Sequence, residues 1–247
     1  MNASRPFENR LQLSVIIPCY NERDNVEPLF SALIKALDGR KWEAIFVDDN
    51  SPDGTIKQVW QLAQQDQRIR GILRVGRRGL SSAVIEGVLS SSAECVAVID
   101  GDMQHDETLL PTMLDAILQE NYDFAVGSRH VEGGDNTGLA NRWRLFLSNT
   151  GIRISQQFLP VTLNDPMSGF FMLRRSLFMQ LLPALSGTGF KILLDLVMSA
   201  SASVRLKEIP FQFRQRLFGE SKLGFKIMVQ FLFMLMEKLF KTSIKKK

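Results

Sequence analysis

Soft metal ligands are scarce: the 247 residues contain two cysteines and two histidines. Cys19 and Cys95 each sit in an apolar run, which excludes a disulfide scaffold, fits a reducing compartment and makes both thiols packing residues. His105 and His130 are too few and too isolated for a zinc cage, and each reads as an ordinary loop residue. Glycine-rich phosphate loops are missing too. The first apolar run leads into PCYNERDN without the GxGxxG of a dinucleotide turn, and no GxxxxGK[ST] occurs, so nicotinamide enzymes and P-loop NTPases are disfavoured. No uninterrupted apolar run reaches the ~18 residues of a spanning helix, and MNASRPFENR lacks the apolar core of a secretory signal. The chain is therefore expected in the cytoplasm. Nor is there an aromatic-studded basic stripe, which leaves a nucleic-acid-binding domain without support.

What is present is a globular composition: 45% hydrophobic and 23% charged residues are enough for a substantial core and exclude disorder. The net charge of +4 comes from clusters at Arg68–Arg78, Arg142–Arg153 and Lys245–Lys247, which suit phosphate or anionic lipid. Apolar runs of strand length alternate with segments of helical period. Strands are predicted at 13–18, 42–49, 69–75, 94–100 and 123–128, with helices at 25–37, 55–65, 81–91 and 108–120 between them. The second half predicts a helix at 144–159, a strand at 165–175, a helix at 190–201 and a strand at 204–214. Continuous apolar strands joined by crossover helices indicate an α/β domain with a mostly parallel sheet covered on both faces.

In such a sheet, ligands gather at the carboxyl ends of the strands where the strand order changes. Asp48 and Asp49 end one predicted strand, and AVIDGDMQHDETLL carries Asp100 and Asp102 at the end of another. Four carboxylates at one edge repel one another, and either a cation or a set of hydrogen-bond donors relieves this. Oxygen ligands without a Cys/His set point to Mg²⁺ or Mn²⁺. An Asp-x-Asp phosphatase would carry a hydroxyl residue after its nucleophile, whereas Met103 and Gln104 follow Asp102.

Taken in order, VIIPCYNERDN, FVDDNSPDGT, VIDGDMQH, VGSRHVEGG and FGESKLG resemble the family 2 inverting glycosyltransferases with a GT-A (Rossmann-like) fold, within them the polyprenyl-phosphate (dolichol-phosphate) mannosyltransferase group. The resemblance spans roughly residues 12–225. It implies that Pro18, Tyr20, Glu22, Val47 and Asp49 hold the nucleoside part of the donor, and that Asp100, Gly101, Asp102 and Gln104 form the metal and diphosphate step. It also implies that Arg129, Arg144 and Ser148 take the acceptor phosphate, and that Arg216 and Lys222 belong to a loop closing over the diphosphate. Asp102, Arg129 and Arg216 are the expected catalytic residues. The donor would be GDP-mannose or a UDP-sugar, and the acceptor a dolichyl or undecaprenyl phosphate.

The alternative within the fold is a hydroxyl acceptor, which needs a general base, and Asp195 is the available carboxylate. Residues 1–224 are read as the catalytic domain. In 225–247, FKIMVQFLFMLMEKLF and the lysines after it read as an amphipathic helix, lying at a membrane interface, docking a partner or packing on the core. A peripheral place on the cytoplasmic membrane face follows. A homo-oligomer or a membrane-subunit partner would serve the same end.

Overall fold

The computed structural model describes residues 10–134, 159–187, 189 and 191–214. Strand β1 (Leu13–Cys19) is followed by α1 (Arg23–Ala36), β2 (Trp42–Asp48), α2 (Thr55–Ala63), β3 (Ile69–Leu73), α3 (Leu80–Ser90) and β4 (Cys95–Val98). A short 3-10 turn, Glu107–Leu109, then leads into α4 (Leu110–Leu118) and β5 (Phe124–Ser128). The later part supplies β6 (Phe171–Arg174), α5 (Arg175–Leu181), α6 (Ile192–Ser199) and β7 (Leu206–Pro210).

The seven strands form one sheet in the order β3-β2-β1-β4-β6-β5-β7. All neighbours run parallel except β6, which is antiparallel to both β4 and β5. Alternating side chains divide the core into two layers. Leu13, Val15 and Ile17 of β1 pack with α1, α2 and α4, whereas Ile16 packs with α3, α5 and α6. Val26, Leu29, Phe30 and Leu33 repeat at helical spacing, which is why α1 lies flat on its face. Gly87 in α3 lets that helix seat closely, since a Cβ there would lie 2.4 Å from Ile16 Cγ2.

The chain winds outward from β1 through β2 to β3, then α3 carries it back across the opposite face to set β4 on the free side of β1. The order therefore turns between β1 and β4, and the crevice at their carboxyl ends is where a ligand is expected. Cys19 and Cys95 are buried free thiols, and burial pushes the Cys95 thiol up to about 12.

Two sequence expectations are corrected. The strand expected over 165–175 is confined to Phe171–Arg174, because the residues before it form a loop in which Ser168 Oγ donates to the Gly127 carbonyl at 2.7 Å. The residues after it form α5, a helix that sequence reading missed. The expected helices at 144–159 and in 225–247 lie outside the described residues.

Candidate active site

The loops after β1 and β4 meet at the strand-order switch. A Cβ on Gly101 would lie 3.2 Å from Cys19 Sγ and 3.6 Å from Glu22 Cγ, so the two loops are in van der Waals contact. Met103 adopts a left-handed φ of 64°, which folds the chain back so that the Gln104 N–H reaches Asp102 Oδ1 at 3.2 Å.

His105 is the bracket of this loop, a correction to its reading as an ordinary loop residue. Its Nδ1 accepts from the Asp100 N–H at 3.2 Å, so the neutral ring carries its proton on Nε2, which lies 3.8 Å from Asp100 Oδ2. The ring stacks on Phe170 at 5.4 Å between centroids, and Phe211 and Phe213 meet it edge-on. Burial pulls its pKa down to about 4, against the opposing charge of Asp102. It is a neutral hydrogen-bonding wedge at physiological pH.

Arg214 clamps the same loop from the far side. Its guanidinium donates to Asp106 Oδ1 at 2.7 Å and Glu107 Oε2 at 2.6 Å. Its N–H donates to the Gln104 carbonyl at 2.9 Å, and its own carbonyl accepts from Gln104 Nε2 at 3.0 Å. Any ligand role of Gln104 therefore falls to its Oε1.

Hydrogen-bond donors, not a cation site, relieve the pair at the end of β2. Asp48 is fully buried and accepts from both the N–H and the hydroxyl of Ser51, which in turn accepts from the Asn21 N–H. Burial pushes the Asp48 carboxyl above its ordinary range even so. Asp49 Oδ1 accepts from Arg74 Nη1 at 2.5 Å and Oδ2 from the Gly79 N–H at 2.8 Å. Arg74 is only 1% exposed, and its other donors reach Glu86, Ser82 and the Gly79 carbonyl. Sequence reading saw it only as part of an arginine cluster. Its neighbour Arg78 lies over the Tyr20 ring at 4.2 Å from the centroid.

On the other side of Asp100, Arg129 follows β5 and makes a two-pronged pair with Asp165, Nε to Oδ2 at 2.7 Å and Nη2 to Oδ1 at 2.9 Å. Burial would raise the Asp165 carboxyl, but the Arg129 bonds outweigh it and hold its pKa below the usual range. Glu208 of β7 fixes the loop by accepting from the Asn164 and Asp165 N–H groups. Gly169 is required where this loop passes Asp100, because a Cβ would lie 3.0 Å from Asp100 Oδ2.

Tyr20 and Glu22 thus follow β1, Asp49 follows β2, and Asp100, Gly101, Asp102 and Gln104 follow β4, all at the carboxyl ends of neighbouring parallel strands, with Arg129 following β5. Pro18 lies on β1 near its carboxyl end. Val47, near the end of β2, is fully buried and its side chain supports the strand end from the core. Arg144, Ser148, Arg216 and Lys222 lie outside the described residues. Asp195 is buried, and its Oδ2 accepts from the Ser186 N–H and hydroxyl, which makes it a loop anchor instead of a base facing the crevice. Among the described residues no group of three or more His, Cys, Asp or Glu side chains is arranged to hold a metal. Asp100 and Asp102 nevertheless fit Mg²⁺ or Mn²⁺, since such ions bind through one or two carboxylates and take further oxygens from substrate phosphates.

A sheet of this order with paired carboxylates at its switch point is a GT-A fold. Solved structures bear out the fold: glucosyl-3-phosphoglycerate synthase from Mycobacterium tuberculosis, in complex with UDP, superposes with a TM-score of 0.63 at 20% identity, over 92% of this chain and 79% of that one. A mannosyltransferase from Pyrobaculum calidifontis, in complex with GDP-Man and Mn²⁺, gives 0.60 at 18% identity, over 93% of this chain and 65% of that one. The description Glycosyl transferase family 2 matches residues 14–182. A dolichol-phosphate mannosyltransferase from Pyrococcus furiosus is 38% identical over 90% of this chain, which spans 62% of that protein's length. One from Saccharomyces cerevisiae is 34% identical over 92% of this chain and 86% of its own length. The chain belongs to glycosyltransferase family 2.

Proposed function

We propose that this chain transfers a hexosyl group, mannosyl foremost, from a nucleotide sugar to a polyprenyl phosphate at the cytoplasmic face of a membrane. The observation that carries the reading is that the Asp100–Asp102 loop meets the loop after β1 at the carboxyl ends of the strands, while the loop 165–169 that touches Asp100 also holds the Arg129 guanidinium through Asp165. The names of relatives aligned over nine-tenths of the chain favour a mannosyl donor and a dolichyl-type phosphate as acceptor, with GDP-mannose the preferred donor and a UDP-sugar the alternative. A Mn²⁺ or Mg²⁺ ion on Asp100, Asp102 and Gln104 would stabilise the charge that the nucleoside diphosphate gains as it departs.

In this transfer an acceptor phosphate oxygen forms a bond to the anomeric carbon from the face opposite the donor. The bond from that carbon to the diphosphate breaks, its electron pair leaves with the nucleoside diphosphate, and the anomeric centre inverts. No proton needs removal. A phosphate monoester with a second pKa near ~6 is already largely dianionic at neutral pH. Repulsion between two anionic groups is the obstacle, and fixed guanidinium donors offset it. Asp165 occupies Nε and one side of Nη2 of Arg129, so phosphate contact falls to Nη1 and the remaining Nη2 hydrogen. Asp165 thereby aims the cation and prevents rotation. Arg144 and Ser148 are assigned to the same phosphate and Arg216 and Lys222 to the diphosphate, by their match to the family's motifs. Contact with the lipid surface is assigned to residues 225–247, whose sequence pairs an apolar face with lysines.

The test is transfer of radiolabelled sugar from GDP-mannose and UDP-sugars into organic-extractable lipid, with polyprenyl phosphate supplied and with Mn²⁺ or Mg²⁺ present or chelated. Metal-dependent label in the lipid phase, abolished by Asp102→Asn, is expected. Label found only on a soluble hydroxyl acceptor would overturn the lipid reading.

A further inference from the structure

The loop between β4 and α4 carries Asp100, Asp102, Asp106 and Glu107 within eight residues, so Asp100 and Asp102 share it with a second anionic pair. Its turn at Met103 is left-handed, a conformation that a methionine keeps only when surrounding contacts fix it. Part of that hold comes from the residues that follow β7. The Phe211 N–H donates to the Ser128 carbonyl at 3.1 Å, which docks the segment on the end of β5. Phe211 and Phe213 then meet the His105 ring that accepts the Asp100 N–H. Arg214 completes the strap. Its N–H donates to the Gln104 main-chain carbonyl at 2.9 Å, and its carbonyl accepts from Gln104 Nε2 at 3.0 Å, so the two residues pinch one another. Its guanidinium fastens that backbone by donating to Asp106 Oδ1 at 2.7 Å and Glu107 Oε2 at 2.6 Å. Asp106 Oδ1 also accepts from the Thr108 N–H and hydroxyl, and the Glu107 side chain is only 9% exposed, so both carboxylates are fixed points.

We propose that Arg214 is a positioning residue for the metal and diphosphate step, fixing the Gln104 side-chain amide so that Oε1 is its ligand end. This rests on the reading of the chain as a metal-dependent transferase. A carbonyl accepts and cannot donate, so the Arg214 carbonyl selects one of the two orientations of the Gln104 amide. The reversed amide would set two oxygens against each other and turn its NH₂ towards the ion. Mg²⁺ and Mn²⁺ take oxygen ligands, so the orientation decides whether Gln104 attracts or repels the metal. Arginine suits the task because its rigid fork reaches two carboxylates in fixed geometry, which the point charge of a lysine does not. Charge alone predicts the opposite effect: removing a cation from beside an anionic loop strengthens the binding of another cation. A loss of metal affinity on removing Arg214 therefore reports orientation.

The experiment is titration of Mn²⁺ into the full chain with saturating GDP, or UDP where the wild type prefers it, reading free Mn²⁺ by its electron paramagnetic resonance signal. Arg214→Met is expected to weaken Mn²⁺ binding about tenfold, the lower end of the effect of removing a partner of a metal ligand. In a Gln104→Ala background the same change is expected to leave Mn²⁺ binding equal or tighter, because the amide that Arg214 orients is gone. No loss in the first background, or the same loss in both, overturns the assignment. A cooperative thermal melt establishes that Arg214→Met folds. Where it shows none, Arg214→Lys decides by the same titration, a threefold loss supporting the assignment and wild-type affinity overturning it. Wild-type protein that binds no Mn²⁺ with either nucleotide overturns the metal-dependent reading and this one with it, whereas wild-type binding that is indifferent to Arg214 overturns only this one.

Discussion

Asp49→Asn isolates what the buried Arg74 requires. Both oxygens of Asp49 accept, one from Arg74 Nη1 and one from the Gly79 N–H. An asparagine has one oxygen, so its NH₂ must face an N–H donor in either rotamer, and Arg74 loses its closest countercharge. Breaking a buried ion pair from one side costs ~3–5 kcal/mol. Glu86 still accepts from Arg74 Nε at 3.0 Å, but its side chain is 24% exposed and shared with Arg77, which places the expected loss at the lower end, about 3 kcal/mol. With a urea slope of about 3 kcal/mol per molar, the unfolding midpoint should fall by about 1 M. Arg74→Met in the same background should restore part of the loss, because the orphaned charge is gone. A midpoint shift below about 0.3 M for Asp49→Asn would refute the electrostatic account of this corner.

Gly169→Ala would put a Cβ 3.0 Å from Asp100 Oδ2, 3.2 Å from Oδ1 and 3.3 Å from His105 Cε1, so Asp100 must move. The Mn²⁺ concentration for half-maximal activity should rise several-fold with the thermal midpoint little changed; an unaltered metal requirement would show that Asp100 tolerates the shift. His105 titrates near 4 in the folded chain against 6.5 in the unfolded one. Below pH 6.5 the unfolded state binds the extra proton, so stability falls as the pH drops towards 4, by about 2 kcal/mol at pH 5. His105→Phe keeps a ring against Phe170 but removes this contribution, so the urea midpoint should fall less between pH 7.5 and pH 5 in the variant than in the wild type. Parallel pH dependences would contradict the burial of a neutral imidazole.

The parallel half of the sheet is legible because β1, β2 and β4 are dominated by apolar residues buried on both faces, with polar residues after them. β6 is harder to read. Its four residues follow a loop containing Phe170, Met167 and Leu163, whose apolar side chains mimic a longer strand, and its insertion between β4 and β5 depends on pairings distant in sequence. α5 begins at Arg175 directly after the strand, with no capping side-chain bond to announce it.

The site divides in the same way. Asp100, Asp102 and Gln104 are visible because their chemistry is written within one turn, whereas His105 and Arg74 acquire roles only from partners elsewhere in the chain. His105 reads as an isolated loop histidine until Phe170, Phe211 and Phe213 close around it, and Arg74 as one arginine among several until Asp49 reaches it. Conversely, Asp48 looks in sequence like one of four carboxylates crowding the strand ends, and Ser51, three residues on, supplies the donors that satisfy it. The strand order explains this asymmetry. Loops after β1 and β2 belong to the regular crossover half and carry their hydrogen-bond partners nearby, as Asp53 and Thr55 do. The wall facing them is assembled from the β5 end, the 165–169 loop, the start of α6 and the chain after β7. Local spacing cannot reveal a surface made of four separated segments, so substrate discrimination on that side is where point substitutions should separate acceptor from donor effects.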